Sequence, residues 1–171
     1  GGVRCVYAPG GGGGGGADRR AGGPAGAGLR GVLGMHETVC TGAADAYGRM
    51  TGRPALTLLH LGVGLANGVA NLHNARRAGS PVVNVVGDMA SWHVGSDAPL
   101  VMDIEGVART VSSWVRTSKS AAGVAQDMAE AVASAESCPR EGGRVSTLIV
   151  PHDFQWSSPD GGVGAEASGG G

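Results

Sequence analysis

Glu37 follows His36, lies just past the short apolar run Val32-Leu33, and opens a segment rich in small residues, Gly42, Ala43 and Ala44. Small residues let a helix pack close to its neighbours. A carboxylate at the start of such a helix can be shielded from water while still touching a ligand, a setting suited to proton exchange. The same position also suits a carboxylate that only complements the positive end of the helix dipole, and position alone leaves both readings open. Further along, Gly62, Gly64 and Asn67 combine two glycines, which let a backbone approach a ligand closely, with one side-chain amide.

Other polar residues fit less chemistry. His60, His73 and His93 lack metal-ligand spacing, and Cys5, Cys40 and Cys138 are odd in number and far apart, so neither a metal site nor a disulfide framework is expected. A reducing compartment follows, the cytoplasm or, in a eukaryote, an organelle lumen. Arg76-Arg77 is expected at a solvated helix end, and Trp92, Trp114 and Trp156 in packing or interfaces. His36 is open to two roles, packing or proton transfer.

These residues need elements to position them. Ala55 to Leu61 is an apolar run ending at Gly62, as expected of a strand buried on both faces of a parallel sheet. Leu65, Val69, Leu72, Ala75 and Ala78 recur at helical steps before Gly79-Ser80-Pro81 stops them. Pro81 to Val86 is a second strand, β-branched and followed by Gly87-Asp88. Strand, helix, strand is one crossover unit. The alternation continues with a helix over Thr38 to Met50, another over Ala121 to Ala135, and a last strand from Val145 to Val150. Val3 to Ala8 is the candidate first strand, whose following helix is replaced by glycine. The predicted fold is α/β: a doubly wound, mainly parallel sheet with helices on both faces. In such sheets ligands meet the carboxyl ends of the strands, where His36-Glu37, Gly62 to Asn67, and Gly87 to His93 fall.

Composition bounds the globular part. Of the 34 glycines, 13 lie in the first 28 residues, including the unbroken run Gly10 to Gly16. Residues 1–30 therefore read as a degenerate first strand and loop, 31–156 as the α/β domain, and 157–171 as a glycine-rich linker or truncated end. A net charge of −1 offers no basic face for nucleic acid, and no apolar run is long enough to span a membrane.

The run from Gly34 through His36-Glu37-Thr38 to Pro54 resembles the segment around the invariant glutamate of thiamine-diphosphate enzymes. His60-Leu-Gly-Val-Gly-Leu-Ala-Asn-Gly68 resembles their second cofactor loop, with Val63 where proline is usual, and Asn71 to Ala78, Pro81 to Asp88, Asp97 to Leu100 and Asp103 to Glu105 extend the similarity to acetolactate synthase-like members. Pro9-Gly10 resembles the first cofactor loop, although the glycine run departs from the expected helix, and Met89 stands where close relatives tend to have histidine. The resemblance implies the pyrimidine-binding domain, with Glu37 catalytic and Pro9, Gly62, Gly64 and Asn67 beside the cofactor. In that family the glutamate hydrogen-bonds the aminopyrimidine ring and favours the imino form that removes the thiazolium proton. The activated cofactor then attacks a 2-oxo acid such as pyruvate, leading to decarboxylation or carboligation.

It further implies that Mg²⁺ and the diphosphate are held on another domain, and that active sites form between subunits of a homodimer or homotetramer. Two other readings of the sequence remain open. One is a non-catalytic remnant that dimerises or binds a partner. The other is a nicotinamide-dinucleotide domain using Gly62-Val63-Gly64 as phosphate loop and Asp88 as ribose acceptor, against which stands Asn67 where that fingerprint calls for glycine.

Overall fold

The computed structural model describes residues 5–9, 30–137 and 144–156. Six strands make one sheet: β1 (Cys5–Pro9), β2 (Arg30–Gly34), β3 (Ala55–His60), β4 (Val82–Asp88), β5 (Trp114–Thr117) and β6 (Val145–Pro151). Their order is β2-β1-β3-β4-β6-β5, and every pairing is parallel. The helices are α1 (Glu37–Thr51), α2 (Leu61–Ala78), α3 (Ile104–Val111) and α4 (Val124–Glu136). The doubly wound sheet is thus as the sequence predicts, and the described connections between its strands run through helices, as parallel pairing favours.

The period-two alternation of strand side chains sorts two cores. Ala55, Leu59, Val82, Val86, Val145 and Ile149 face α1, α2 and α3, where Ala44, Leu65, Leu72, Ala75, Ile104, Ala108 and Val111 meet them. Val83, Leu148 and Val150 point the other way, toward Ala131 and Ala135 of α4. Helices therefore cover both faces.

Several predicted bounds shift. β3 stops at His60 and α2 starts at once with Leu61, whereas the apolar run suggests that the strand includes Leu61 and the helix begins at Leu65. The reversal is made by Leu61 itself, at φ 56°, a left-handed conformation unusual for a branched residue. The helix expected over Ala121 to Ala135 begins with a separate tight turn, Ala121–Gly123, capped by Ser120. The first strand's predicted start at Val3, the following glycine run and Cys138 lie outside the described residues.

On the α1–α3 side of the sheet a chain of polar groups is paired across strands, whereas the buried Ser146 hydroxyl of β6 has no hydrogen-bond partner. Thr57 of β3 donates to Asn84 Oδ1 of β4 at 2.7 Å, Asn84 donates to Thr147 Oγ1 of β6 at 3.0 Å, and Thr147 shares a 2.7 Å hydrogen bond with Ser112. All four residues are buried, so each bond spares a group the cost of unsatisfied burial.

A second buried group clamps α1 to the start of β4. Arg49 grips Asp45 with two hydrogen bonds of 2.9 and 2.8 Å, and Ser80 donates to Asp45 Oδ1 at 2.5 Å. Burial pushes the Asp45 carboxyl pKa up, but the hydrogen bonds from Arg49 and Ser80 and the Arg49 charge more than reverse this and hold it below its ordinary value. A carboxylate lowered in the folded state stabilises the fold above its unfolded pKa of about 3.9, and that contribution is lost as pH falls through the folded value. Asp45→Asn is therefore expected to cost about 1 kcal/mol at neutral pH and to flatten the stability curve between about pH 5 and pH 2, measured by urea unfolding across that range.

Candidate functional site

The site forms where α1 and α2 begin. α1 opens at Glu37 with His36 as its N-cap: the extended His36 backbone sets Nδ1 3.2 Å from the Thr38 amide, which donates to it. Behind Glu37, the end of β2 packs so tightly on α1 that a side chain at Gly34 would collide with Cys40 Sγ. Cys40 is buried, and burial, followed by the Glu37 charge, raises its thiol pKa. The thiol is held neutral beneath the carboxylate.

α2 comes in alongside. Asn67 donates from Nδ2 to Glu37 Oε2 at 3.1 Å, and Thr38 Oγ1 donates to the Asn67 carbonyl at 2.8 Å. One turn on, Asn71 Nδ2 donates to the Thr38 carbonyl at 2.7 Å, while Thr41 Oγ1 lies 3.0 Å from the Glu37 carbonyl and 3.3 Å from that of Gly68. Such close approach needs small residues. A Cβ at Gly68 would stand 2.7 Å from Thr41 Cγ2, and one at Gly42 would stand 2.9 Å from Asn71 Nδ2.

The predicted residues are placed unequally. Glu37, Gly64 and Asn67 come together: a Cβ on Gly64 would sit 3.4 Å from Glu37 Oε1, so the missing side chain leaves open the space beside that oxygen. Gly62 instead accommodates Met102, whose Cβ and Sδ both lie 2.6 Å from where its Cβ would be. Pro9 ends β1 opposite Gly34. The Glu37 side chain is 15% exposed, partly screened yet reachable.

Thr38, Thr41, Asn71 and Met102 are site-building residues that the sequence reading passes over. Asn71 follows Asn67 by one helical turn, a spacing that could have revealed it as a second amide on the same face. Nothing local marks Met102.

Three further polar residues can be placed. Asp88 accepts from the amide of its neighbour Met89 at 2.7 Å. Arg76 does more than end a helix, since Nη1 donates to the Thr110 carbonyl at 2.7 Å and ties α2 to α3. His36 is 55% exposed, which removes the packing role. Trp114 packs against the α4 core with the Arg116 guanidinium over its ring, whereas Trp92 and Trp156 are exposed. Among the described residues, no group of three or more His, Cys, Asp or Glu could hold a metal ion, and no helix is long and apolar enough to cross a membrane.

The comparisons point one way. The family described as thiamine pyrophosphate enzyme, N-terminal TPP binding domain, matches residues 20–108. A Mycobacterium tuberculosis protein provisionally named acetolactate synthase large subunit is 55% identical over 129 residues, 75% of this chain and 24% of that protein. Benzoylformate decarboxylase of Pseudomonas aeruginosa is 30% identical over 132 residues, 77% of this chain and 24% of the enzyme. The solved structure of the thiamine diphosphate-dependent 4-hydroxybenzoylformate decarboxylase of Rhodococcus jostii RHA1 superposes with TM-score 0.75 at 25% identity, covering 89% of this chain and 28% of that one. The chain thus spans about a quarter of the length of these proteins.

Two glycine substitutions separate the parts of this contact. Gly68→Ala drives a methyl into Thr41 and is expected to destabilise by about 1–3 kcal/mol. It should lower the urea midpoint at unchanged slope. Gly64→Ala, in ordinary contact with Oε1 and favoured by helix propensity, should stay within about 1 kcal/mol of the parent.

Proposed function

The chain belongs to the thiamine pyrophosphate enzymes, as an N-terminal TPP binding domain, and we propose that Glu37 is the residue with which it engages the aminopyrimidine end of the cofactor. The observation that carries this is the division of the carboxylate: Oε2 is held by Asn67, while Oε1 faces the space kept open by Gly64. When bound, thiamine diphosphate supplies an electron sink for breaking the bond next to a 2-oxo acid's carbonyl. Glu37 gives or takes a proton at Oε1. Asn67 fixes the carboxylate's direction, and Cys40 and the α1–α2 contact screen it from water, so the proton is held at one place and angle. Pro9 and Gly62 contribute backbone near the same strand ends, Gly62 by making room for Met102.

The decarboxylase relative is named for a 2-oxo acid, benzoylformate, and we assign this chain to the same substrate class, in a decarboxylation or carboligation of the acetolactate synthase kind. The Mg²⁺ ion and the diphosphate are assigned to a second domain, as the resemblance to the family implies. A partner surface is available around the site: Leu33, Met35, Val39 and Val63 are all exposed apolar residues close in sequence to Glu37 or Gly64. This supports a homodimer or homotetramer whose sites lie between subunits.

Glu37→Gln in the assembled, full-length enzyme is expected to fold with unchanged thermal stability to within about 1 kcal/mol and to abolish exchange of the thiazolium C2 proton, read by NMR after acid quench. Exchange at the parent rate would remove Glu37 from the mechanism, and a parent enzyme that itself shows no exchange would favour the non-catalytic reading. The 171-residue chain alone should give no saturable heat with thiamine diphosphate and Mg²⁺ by calorimetry.

A further inference from the structure

We propose that His36 is a positioning residue for Glu37, locked by the helix cap as its Nε2–H tautomer and directing that N–H at Oε2, so that Oε1 is reserved for the working proton. The inference rests on the functional reading above and deepens it. His36 Nδ1 lies 3.2 Å from the Thr38 amide and accepts its hydrogen. Only an unprotonated ring nitrogen can do so, and a neutral imidazole then carries its hydrogen on Nε2. That nitrogen is 3.9 Å from Glu37 Oε2.

The separation exceeds a hydrogen bond, and a side-chain movement of about 1 Å closes it, an amplitude available to side chains on fast timescales. Asn67 already donates to the same oxygen at 3.1 Å. Two donors converging on Oε2 make it the acceptor oxygen, and when the group is a carboxylic acid its hydrogen is directed to Oε1, on the Gly64 side. The ring is 55% exposed, so burial does not explain its orientation, whereas the cap does.

The cap and the distal N–H can be separated by substitution. Asparagine at 36 keeps a strong N-cap acceptor but has no group reaching Oε2, and alanine keeps neither. In long-range ¹H–¹⁵N spectra of the labelled chain at neutral pH, His36 should show an unprotonated Nδ1 and a protonated Nε2, and Glu37→Gln should shift the Nε2 resonance. A proton on Nδ1, or an Nε2 resonance indifferent to Glu37→Gln, overturns the proposal. In the full-length enzyme with thiamine diphosphate and Mg²⁺, His36→Asn should lower kcat between about ten- and a hundredfold, as expected of lost orientation. It should leave the cofactor KM within about twofold and Thr38 amide protection as in the parent. His36→Ala should lose that protection as well. A parent-like kcat in His36→Asn also overturns the proposal. A parent enzyme without activity strikes the functional reading alone, because the tautomer and its response to Glu37→Gln are read without cofactor.

Discussion

The close approach of α1 and α2 is the constraint on which the site depends. Glu37 and Asn67 are far apart in sequence, and their 3.1 Å contact exists only because Gly68 admits Thr41 and Gly42 admits Asn71. Interior packing has no slack to absorb an added methyl at such a contact. The hydrogen bonds from Thr38 to the Asn67 carbonyl and from Asn71 to the Thr38 carbonyl then fix rotation and register between the helices. A non-bonded pair of helices could slide, whereas this one has its carboxylate and amide indexed against each other.

The sheet determines where that contact is made. Parallel pairing in register brings His60 of β3 level with Gly87 of β4, and Pro9 of β1 level with Gly34 of β2, so the chain leaves all four strands at one edge. The buried chain from Thr57 through Asn84 and Thr147 to Ser112 crosses three of the strands and penalises any slip by one residue, which would turn these polar groups into the α4 core. Leu61 is the cost of this arrangement. Its positive φ reverses the chain without a linker, starting α2 directly beside Glu37, and strain of this kind is characteristic of functional loops.

How much of this the sequence discloses depends on the range of the interaction. β4 and β6 are legible because β-branched runs bounded by Gly or Pro have few other uses, and α2 because its apolar positions repeat at helical steps from Leu65 to Ala78. α3 and β5 pass unread, being eight and four residues long, with β5 only half-buried and therefore without a continuous apolar run. The start of α2 is misjudged for a different reason: Leu61 is apolar and buried, hence strand-like in composition, and only its backbone angle shows that the strand has ended. Glu37, Gly64 and Asn67 can be singled out by type and resemblance, but the partners that orient them, Thr38, Thr41 and Asn71, look like ordinary helix surface until two helices are docked.

The carboxylate is built asymmetrically, and this bears on what the domain is for. Here Asn67 donates to Oε2, while a Cβ on Gly64 would stand 3.4 Å from Oε1. Ordering a side chain on one oxygen while leaving the other open forgoes stability the fold could have had, and such local concessions are expected where a ligand completes the set. The exposed Leu33, Met35, Val39 and Val63 show the same incompleteness for apolar surface. On the proposed reading, the open side of the carboxylate would take the cofactor ring, and the exposed apolar residues near it in sequence would take the protein that delivers the cofactor's other end.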